Sequence, residues 1–409
     1  MEIGLGEKKF KDELPCKSKL HYKIWQQYKF LWLILEIHGI DILKNNVHKR
    51  TISKVLSKFC VVFMHLVQIY TMCVSAILCF VMSLYDVFVC KILLSYTVAA
   101  PLPLILHYII RSKNLLLHQL VDRYCRIHAL QERNPKTETR KAVNFILFGI
   151  IFLCITLSST SALTLPSDSP LKFFYSFCDI FQEGTAAVFI RILITHLSFS
   201  YQYVYPGFVA VMCGVLFYEF SEILFRYQKR LEARYATVLQ CPSTLLVAEN
   251  MDKMQADIRM HTRLFETVHQ LQGAVSLICF VFLCNQTIVM FCSLSDFMLT
   301  EEKYFSIPKI CENTLIIALV PTSLFGISFC ASRIRTHYEK VQITLSLLID
   351  ALLEENKRYA DIILSLNNMR KKSFPVLSAC GIADLSPKFM IGLFGSILTY
   401  GLLILNLKN

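Results

Sequence analysis

Few residues in this 409-residue chain are placed for chemistry, and those that are lie in apolar stretches. The sixteen cysteines form no Cys-x-x-Cys pair, and no His/Cys spacing suits zinc. No nucleophile–base pair or phosphate-cradling glycine loop is present, so neither an enzyme, a metal centre nor a cofactor is expected. What stands out is the stretch Thr399-Tyr400-Gly401-Leu402-Leu403-Ile404-Leu405-Asn406-Leu407. Thr399, Leu403 and Asn406 follow at spacings of four and three, which puts them on one face of a helix. Leu403 and Leu407 stand one turn apart. Around a shared axis such leucines would form apolar rings that close by dewetting, and the Asn406 amides would offer neutral oxygens to an ion. On a single helix the same residues make ordinary interhelical contacts. The surrounding elements must decide between a packed span and the wall of a passage.

Apolar residues make up 55% of the chain and charged ones 18%, below the roughly 25% of a soluble domain. Several runs of about 20 residues carry almost no charge, the mark of transmembrane helices. The sequence reads as an all-α membrane protein with seven spans, at 59–85, 91–110, 143–165, 200–221, 273–297, 312–332 and 388–407. The lysines at 8, 9, 11, 17, 19 and 23 precede no apolar h-region, so no cleavable signal is expected. The run Phe30 to Leu35 is too short to span and predicts a re-entrant or interfacial helix, with Trp25, Tyr28 and Trp32 at headgroup level.

The net charge of +12 is not that of a nucleic-acid binder, because its distribution follows the spans. Of 42 lysines and arginines, twelve lie in residues 1–58, eight in 111–141, seven in 222–272 and eight in 333–372. The positive-inside rule makes these four segments cytoplasmic. Apolar character begins near Ala186, so the fourth helix must extend outward or follow a short outer helix. Seven crossings then put the amino terminus inside and the carboxyl terminus outside. Near the outer face lie Cys90, Cys178 and Cys311, which leave a disulfide open without choosing its pair. The sequon Asn285-Gln286-Thr287 falls mid-span, where it cannot be glycosylated.

Asp122-Arg123-Tyr124 copies the triplet that ends the third helix of rhodopsin-like G-protein-coupled receptors. Only two crossings precede it, the topology is inverted, and Arg111, Lys113, Asn114, His118 and Gln119 run up to it. It reads as part of a solvated helix. A secondary transporter would show two similar halves with broken helices, and none is visible.

Within that topology the closing stretch resembles the TYhhhhhQF signature (h, hydrophobic) of insect gustatory receptors, with Asn406 and Leu407 in place of Gln and Phe. Ser378-Ala379-Cys380-Gly381-Ile382 and Leu385 resemble the small-residue run that leads into the same helix. Residue-level likeness covers about the last 35 residues; elsewhere it is architectural. Position 401 is Gly, where the sugar-sensing branch carries Glu, so the resemblance favours a bitter-type tastant over a sugar. The odorant receptors share the fold and are the alternative.

The resemblance implies a ligand-gated cation channel in the plasma membrane of a sensory dendrite, a tetramer of itself or with other gustatory receptor subunits, in contact with lipid. Thr399, Tyr400, Leu403, Asn406 and Leu407 would line the pore and its gate. A small tastant would bind in the outer halves of the middle spans, where Tyr96, Ser159, His196, Tyr201, Gln202, Tyr205, Met290, Phe291 and Thr314 mix aromatic walls with hydrogen-bonding groups. The implied organisation is a cytoplasmic region at 1–58, six helices at 59–332, a cytoplasmic helical anchor at 333–387 and the pore helix at 388–409.

Other polar residues in the spans admit plainer readings. Arg191 can snorkel to headgroups or serve the ligand, while His65, Gln68, Asn285 and Gln286 suit bonds between helices. Pro101, Pro103, Pro206-Gly207 and Pro321 should kink or loosen their helices. Leu345, Leu348 and Leu352, at helical spacing, suit packing within or between subunits.

Overall fold

A computed structural model describes residues 28–42, 51–83, 94, 97–131, 137–165, 184–240, 247–299, 306–355 and 360–408. Trp25, Cys90, Tyr96 and Cys178 lie outside them. The described helices are α1 (Lys29–Ile37), α2 (Thr51–Ser83), α3 (Leu102–Ser112), α4 (Asn114–Leu130), α5 (Thr137–Leu163), α6 (Thr185–Phe199), α7 (Tyr205–Gln240), α8 (Val247–Leu299), α9 (Ile307–Glu355), α10 (Ala360–Lys371) and α11 (Pro387–Lys408). A π-turn at Ser200–Val204 joins α6 to α7, so the fourth apolar segment is one continuous rod from Thr185 to Gln240. The apolar run therefore extends in one piece well before position 200. Five helical stretches among the described residues are long and apolar enough to cross a bilayer: Ser57–Val81, Glu138–Leu163, Thr185–Gln240, Met251–Ser295 and Ile307–Leu353.

The first half of α7 is the axis of the core. From Tyr205 to Phe217 nearly every side chain is buried, as befits a helix apolar on all sides. It packs along α9, and α5 lies across the pair. The outer helices turn bare apolar faces outward; Phe145, Phe148 and Phe152 on α5 are among the most exposed side chains. In a bilayer that face meets lipid.

Two features of the amino-terminal half stand out. Tyr28 and Trp32, with Leu31, Ile34 and Leu35, are buried in the protein core. The cause is a polar anchor. The Tyr28 hydroxyl donates to Glu219 Oε1 at 2.6 Å, and His128 Nε2 meets Glu219 Oε2 at 3.0 Å, all out of contact with solvent. After α1 the backbone reverses at Gly39, whose φ of 78° lies in the left-handed region; a Cβ there would sit 2.6 Å from Val61 Cγ2. Pro101 and Pro103, read as kinks within a span, instead mark a fresh helix start, with Pro101 at the N-cap and Pro103 in the first turn of α3. The Ala100 carbonyl at that break accepts from Gln68 Nε2 on α2.

The receptor-like triplet is absorbed by α4. Asp122 pairs with Arg126 at 2.7 Å, Arg123 with Glu266 at 3.3 Å, and the Tyr124 hydroxyl donates to the Leu216 carbonyl at 3.2 Å. Burial, reinforced by the Glu219 carboxylate, holds the Tyr124 phenol well above its usual range.

Beyond Arg333 the sequence suggested a separate connection, but α9 runs unbroken to Glu355 with Pro321 inside it. Leu345, Leu348 and Leu352 are buried within the same subunit. Arg333 pairs with Glu222 at 3.3 Å, and Arg234 with Asp257 at 3.2 Å, which tie α9 and α8 to α7. The run before α11 forms a hairpin that the sequence did not announce, Ser378–Ala379 antiparallel to Ala383–Asp384. The connection has three residues, of which Cys380 (φ 55°) and Gly381 (φ 71°) are both left-handed, and the Ile382 N–H closes the turn on the Ala379 carbonyl at 3.0 Å. Cys311 is buried and carries a free thiol.

Candidate functional site

Polar side chains gather where the rod changes pitch. In the π-turn the Tyr205 N–H reaches back five residues to the Ser200 carbonyl. One extra residue in a turn rotates the rest of the helix about its axis, and such bulges recur at functional sites. Neighbouring side chains therefore meet three different partners. Towards α5, His196 Nδ1 lies 3.1 Å from Ser158 Oγ, and Ser200 Oγ lies 3.5 Å from Cys154 Sγ. Towards α9, the Tyr203 hydroxyl donates to Glu312, with Phe199 edge-on to Tyr203 at 5.7 Å. Nearby Ser293 on α8 donates to Asn313 Oδ1 at 2.8 Å.

Towards α1–α3, Tyr201 stacks on Tyr205 at 5.6 Å. The Tyr205 ring also meets His38 at 5.2 Å and His107 at 6.0 Å, and His107 meets His65 at 5.1 Å. The register of α5 against the rod gives depth. Ser158 is level with His196, Ile150 with Gly207 and Thr139 with Tyr218. The Glu138–Leu163 stretch is about one bilayer thick at 1.5 Å per residue. Tyr205 is thus near mid-depth, and His196 nearer the Leu163 end.

Six buried polar atoms of this region have no hydrogen-bonding partner among the described residues: Ser198 Oγ, Tyr201 Oη, Gln202 Oε1, Tyr205 Oη, His65 Nε2 and His107 Nε2. Leaving such a group unpaired costs about 1–3 kcal/mol, so their concentration around one turn suits a place where a guest supplies partners. Among the described residues no group of three His, Cys, Asp or Glu side chains could hold a metal ion. The arrangement can bind and orient.

The structure resembles that of the insect olfactory receptor OR5 from Machilis hrabei, with a TM-score of 0.65 over 95% of this chain and 99% of that one. This is the insect olfactory receptor fold. The same receptor solved in complex with eugenol matches at a TM-score of 0.61 over the same shares. Identity is 12% and 14%, so the likeness is one of fold. No protein-family model matches the sequence, and no curated protein does.

Within this olfactory receptor fold the residues read from the sequence are distributed unevenly. Tyr201, Gln202, Tyr205 and His196 all lie on or beside the π-turn, but on different faces rather than as one cluster. The hydroxyl that reaches His196 belongs to Ser158, while its neighbour Ser159 is only partly buried. Met290 and Phe291 are partly buried on α8. Thr314 is exposed and bonds its own helix at the Ile310 carbonyl, 2.7 Å away. The sequence reading missed His38, His107, Tyr203 and Glu312. A lone carboxylate at the start of an apolar run was the one available signal, at Glu312. Arg191 Nε lies 3.4 Å from the Ala187 carbonyl of its own helix. Asn285, expected to bond a neighbouring helix, is fully buried with both amide atoms unpartnered among the described residues.

The terminal helix packs by a single stripe. Met390, Ile397 and Gly401 are buried, and Phe394 stacks on Phe325 of α9 at 5.2 Å. Thr399, Tyr400 and Leu403 are exposed, with Thr399 Oγ1 turned to the Gly395 carbonyl at 2.8 Å. Asn406 and Leu407 belong to the last turn of this helix.

Proposed function

We propose that the chain is a ligand-gated cation channel of the insect chemoreceptor type, a gustatory receptor answering a small, neutral, bitter-type tastant. The observation that carries this is the unpacked face of α11. At about 100° per residue, Thr399 lies opposite the Met390–Ile397–Gly401 stripe, and Lys388, Gly392, Gly395, Ser396, Leu402, Leu403 and Asn406 fall within about 60° of it. A face on which small, hydroxyl-bearing and amide residues run up to two leucines is a poor lipid-facing surface and a good wall for a narrow aqueous path with an apolar constriction. Four copies meeting on that face would surround a pore, with Leu403 and Leu407 as apolar constrictions and Asn406 beside them for a passing cation.

Seven crossings of the plasma membrane, an inner amino terminus and an outer carboxyl terminus complete the reading, from the distribution of lysine and arginine. Residues 1–58 and 333–387 are then cytoplasmic, 59–332 hold the ligand-binding helices, and 388–409 form the pore. The ligand sits against the π-turn, reached from the outer side, and pairs with the polar atoms left unsatisfied around Tyr201, Gln202 and Tyr205. That the olfactory receptor of similar fold was solved with eugenol supports a small organic ligand. It also favours, as the second reading, an odorant receptor of the same superfamily.

The test is electrical. The chain, expressed alone, is challenged with bitter compounds, sugars, amino acids and eugenol while membrane current is recorded. Leu407→Ala should raise the ligand-free current several-fold by widening an apolar ring. A current that no compound evokes and that the substitution leaves unchanged would sink the channel reading.

A further inference from the structure

The hairpin that precedes α11 is held to α8 by side chains that imitate a third strand. A two-stranded sheet leaves one row of peptide groups on each strand unpaired. On Ser378–Ala379 that row is answered by Gln272. The Ser378 N–H donates to Gln272 Oε1 at 3.2 Å, while Gln272 Nε2 donates to the Ser378 carbonyl at 2.9 Å and to its Oγ at 3.0 Å. A side-chain primary amide thus copies the donor and acceptor of a neighbouring peptide. One turn along α8, Ser276 Oγ donates to the Ser378 carbonyl at 2.9 Å and accepts the Cys380 N–H at 2.8 Å.

What this grips is close to the terminal helix. Ser378 pairs with Asp384, and Ser386 caps α11 by accepting the Phe389 N–H at 3.3 Å. Only Leu385 separates the clamped strand pair from the cap, with Pro387 stiffening the first helical position. On the other side the chain is held by Phe374, stacked on Tyr338 at 4.2 Å, whose hydroxyl donates to the Lys372 carbonyl at 2.7 Å. Gln272 is no part of the ligand site or of the pore face.

We propose that Gln272, with Ser276, is a positioning residue that fixes the base of α11 to α8 and thereby holds the pore helices closed. This rests on the channel reading, so the test carries one arm that does not. In full-length protein, Gln272→Leu and Ser276→Ala are compared with wild type by hydrogen exchange at the Ser378 and Cys380 amides and in the first turn of α11, and by ligand-free current.

Exchange at the clamped amides and in that first turn should quicken about tenfold, the equivalent of one lost hydrogen bond. The ligand-free current should rise, and Ser276→Thr, which keeps the hydroxyl, should restore both readouts. If Gln272→Leu fails to fold, Gln272→Glu replaces it, since it keeps the acceptor and removes both donors. Unchanged exchange in α11 overturns the proposal, as does quickened exchange with an unchanged current. A wild type that conducts under no stimulus overturns the channel reading instead, and α11 exchange still decides the clamp.

Discussion

Tyr205 offers the most direct test of the site at the scale of a residue. Its ring is packed by His38, His107 and Tyr201, yet its hydroxyl ends without a partner among the described residues. Removing an unsatisfied buried hydroxyl should not weaken the fold. Tyr205→Phe is therefore expected to leave thermal stability unchanged or raise it by about 1 kcal/mol, while weakening the activating ligand about tenfold if that ligand supplies the missing bond. A drop in stability would mean that the hydroxyl is already satisfied. The sequence made Tyr201, Gln202 and Tyr205 visible, because aromatic and amide side chains in an apolar run stand out. It did not make their facing visible: a helical period of 3.6 assigns one face to residues four apart, and the π-turn adds a residue that no period carries. His38 and His107 arrive from helices roughly a hundred or more positions away, and nothing in their local sequence tells of Tyr205.

At the scale of elements, the short helix α1 was legible as a helix but not as a core element. Its apolar run is the same for interfacial and buried placement. The deciding partner, Glu219, lies 191 positions further on. Glu219 accepts from Tyr28 and meets His128, so one carboxylate ties α1 and α4 to the central helix. Bonds to a charged acceptor contribute about 1.5–3 kcal/mol each, and burial magnifies their loss. Glu219→Ala should lower the stability of the purified protein by about 3 kcal/mol and free α1. Trp32, one of two tryptophans in the chain, reports this as a red-shifted emission on entering water. Emission that stays blue would show that apolar packing alone holds α1. The continuity of α9 escaped the sequence for a related reason. Proline and a change from apolar to charged composition both suggest a boundary, whereas a helix leaving a membrane into its own bundle needs none.

For the whole molecule, the helical, membrane-embedded class and the asymmetry of basic charge are properties of composition, and so they were readable without any contact. Epitope tags on intact cells test the topology they imply. A carboxyl-terminal tag should be labelled from outside and an amino-terminal tag only after permeabilisation; the reverse pattern would exclude the inverted arrangement. What composition could not convey is that three rods run from the apolar layer far beyond it. One of them, α8, has 53 residues and so measures about 80 Å. Swinging such a beam by about 3° around its middle moves each tip by about 2 Å, with no rotamer changing on the way. Gln272 stands close to that midpoint. A lever gripped at its fulcrum hands on torque and almost no displacement, so what arrives at the last helix is a turn about its own base.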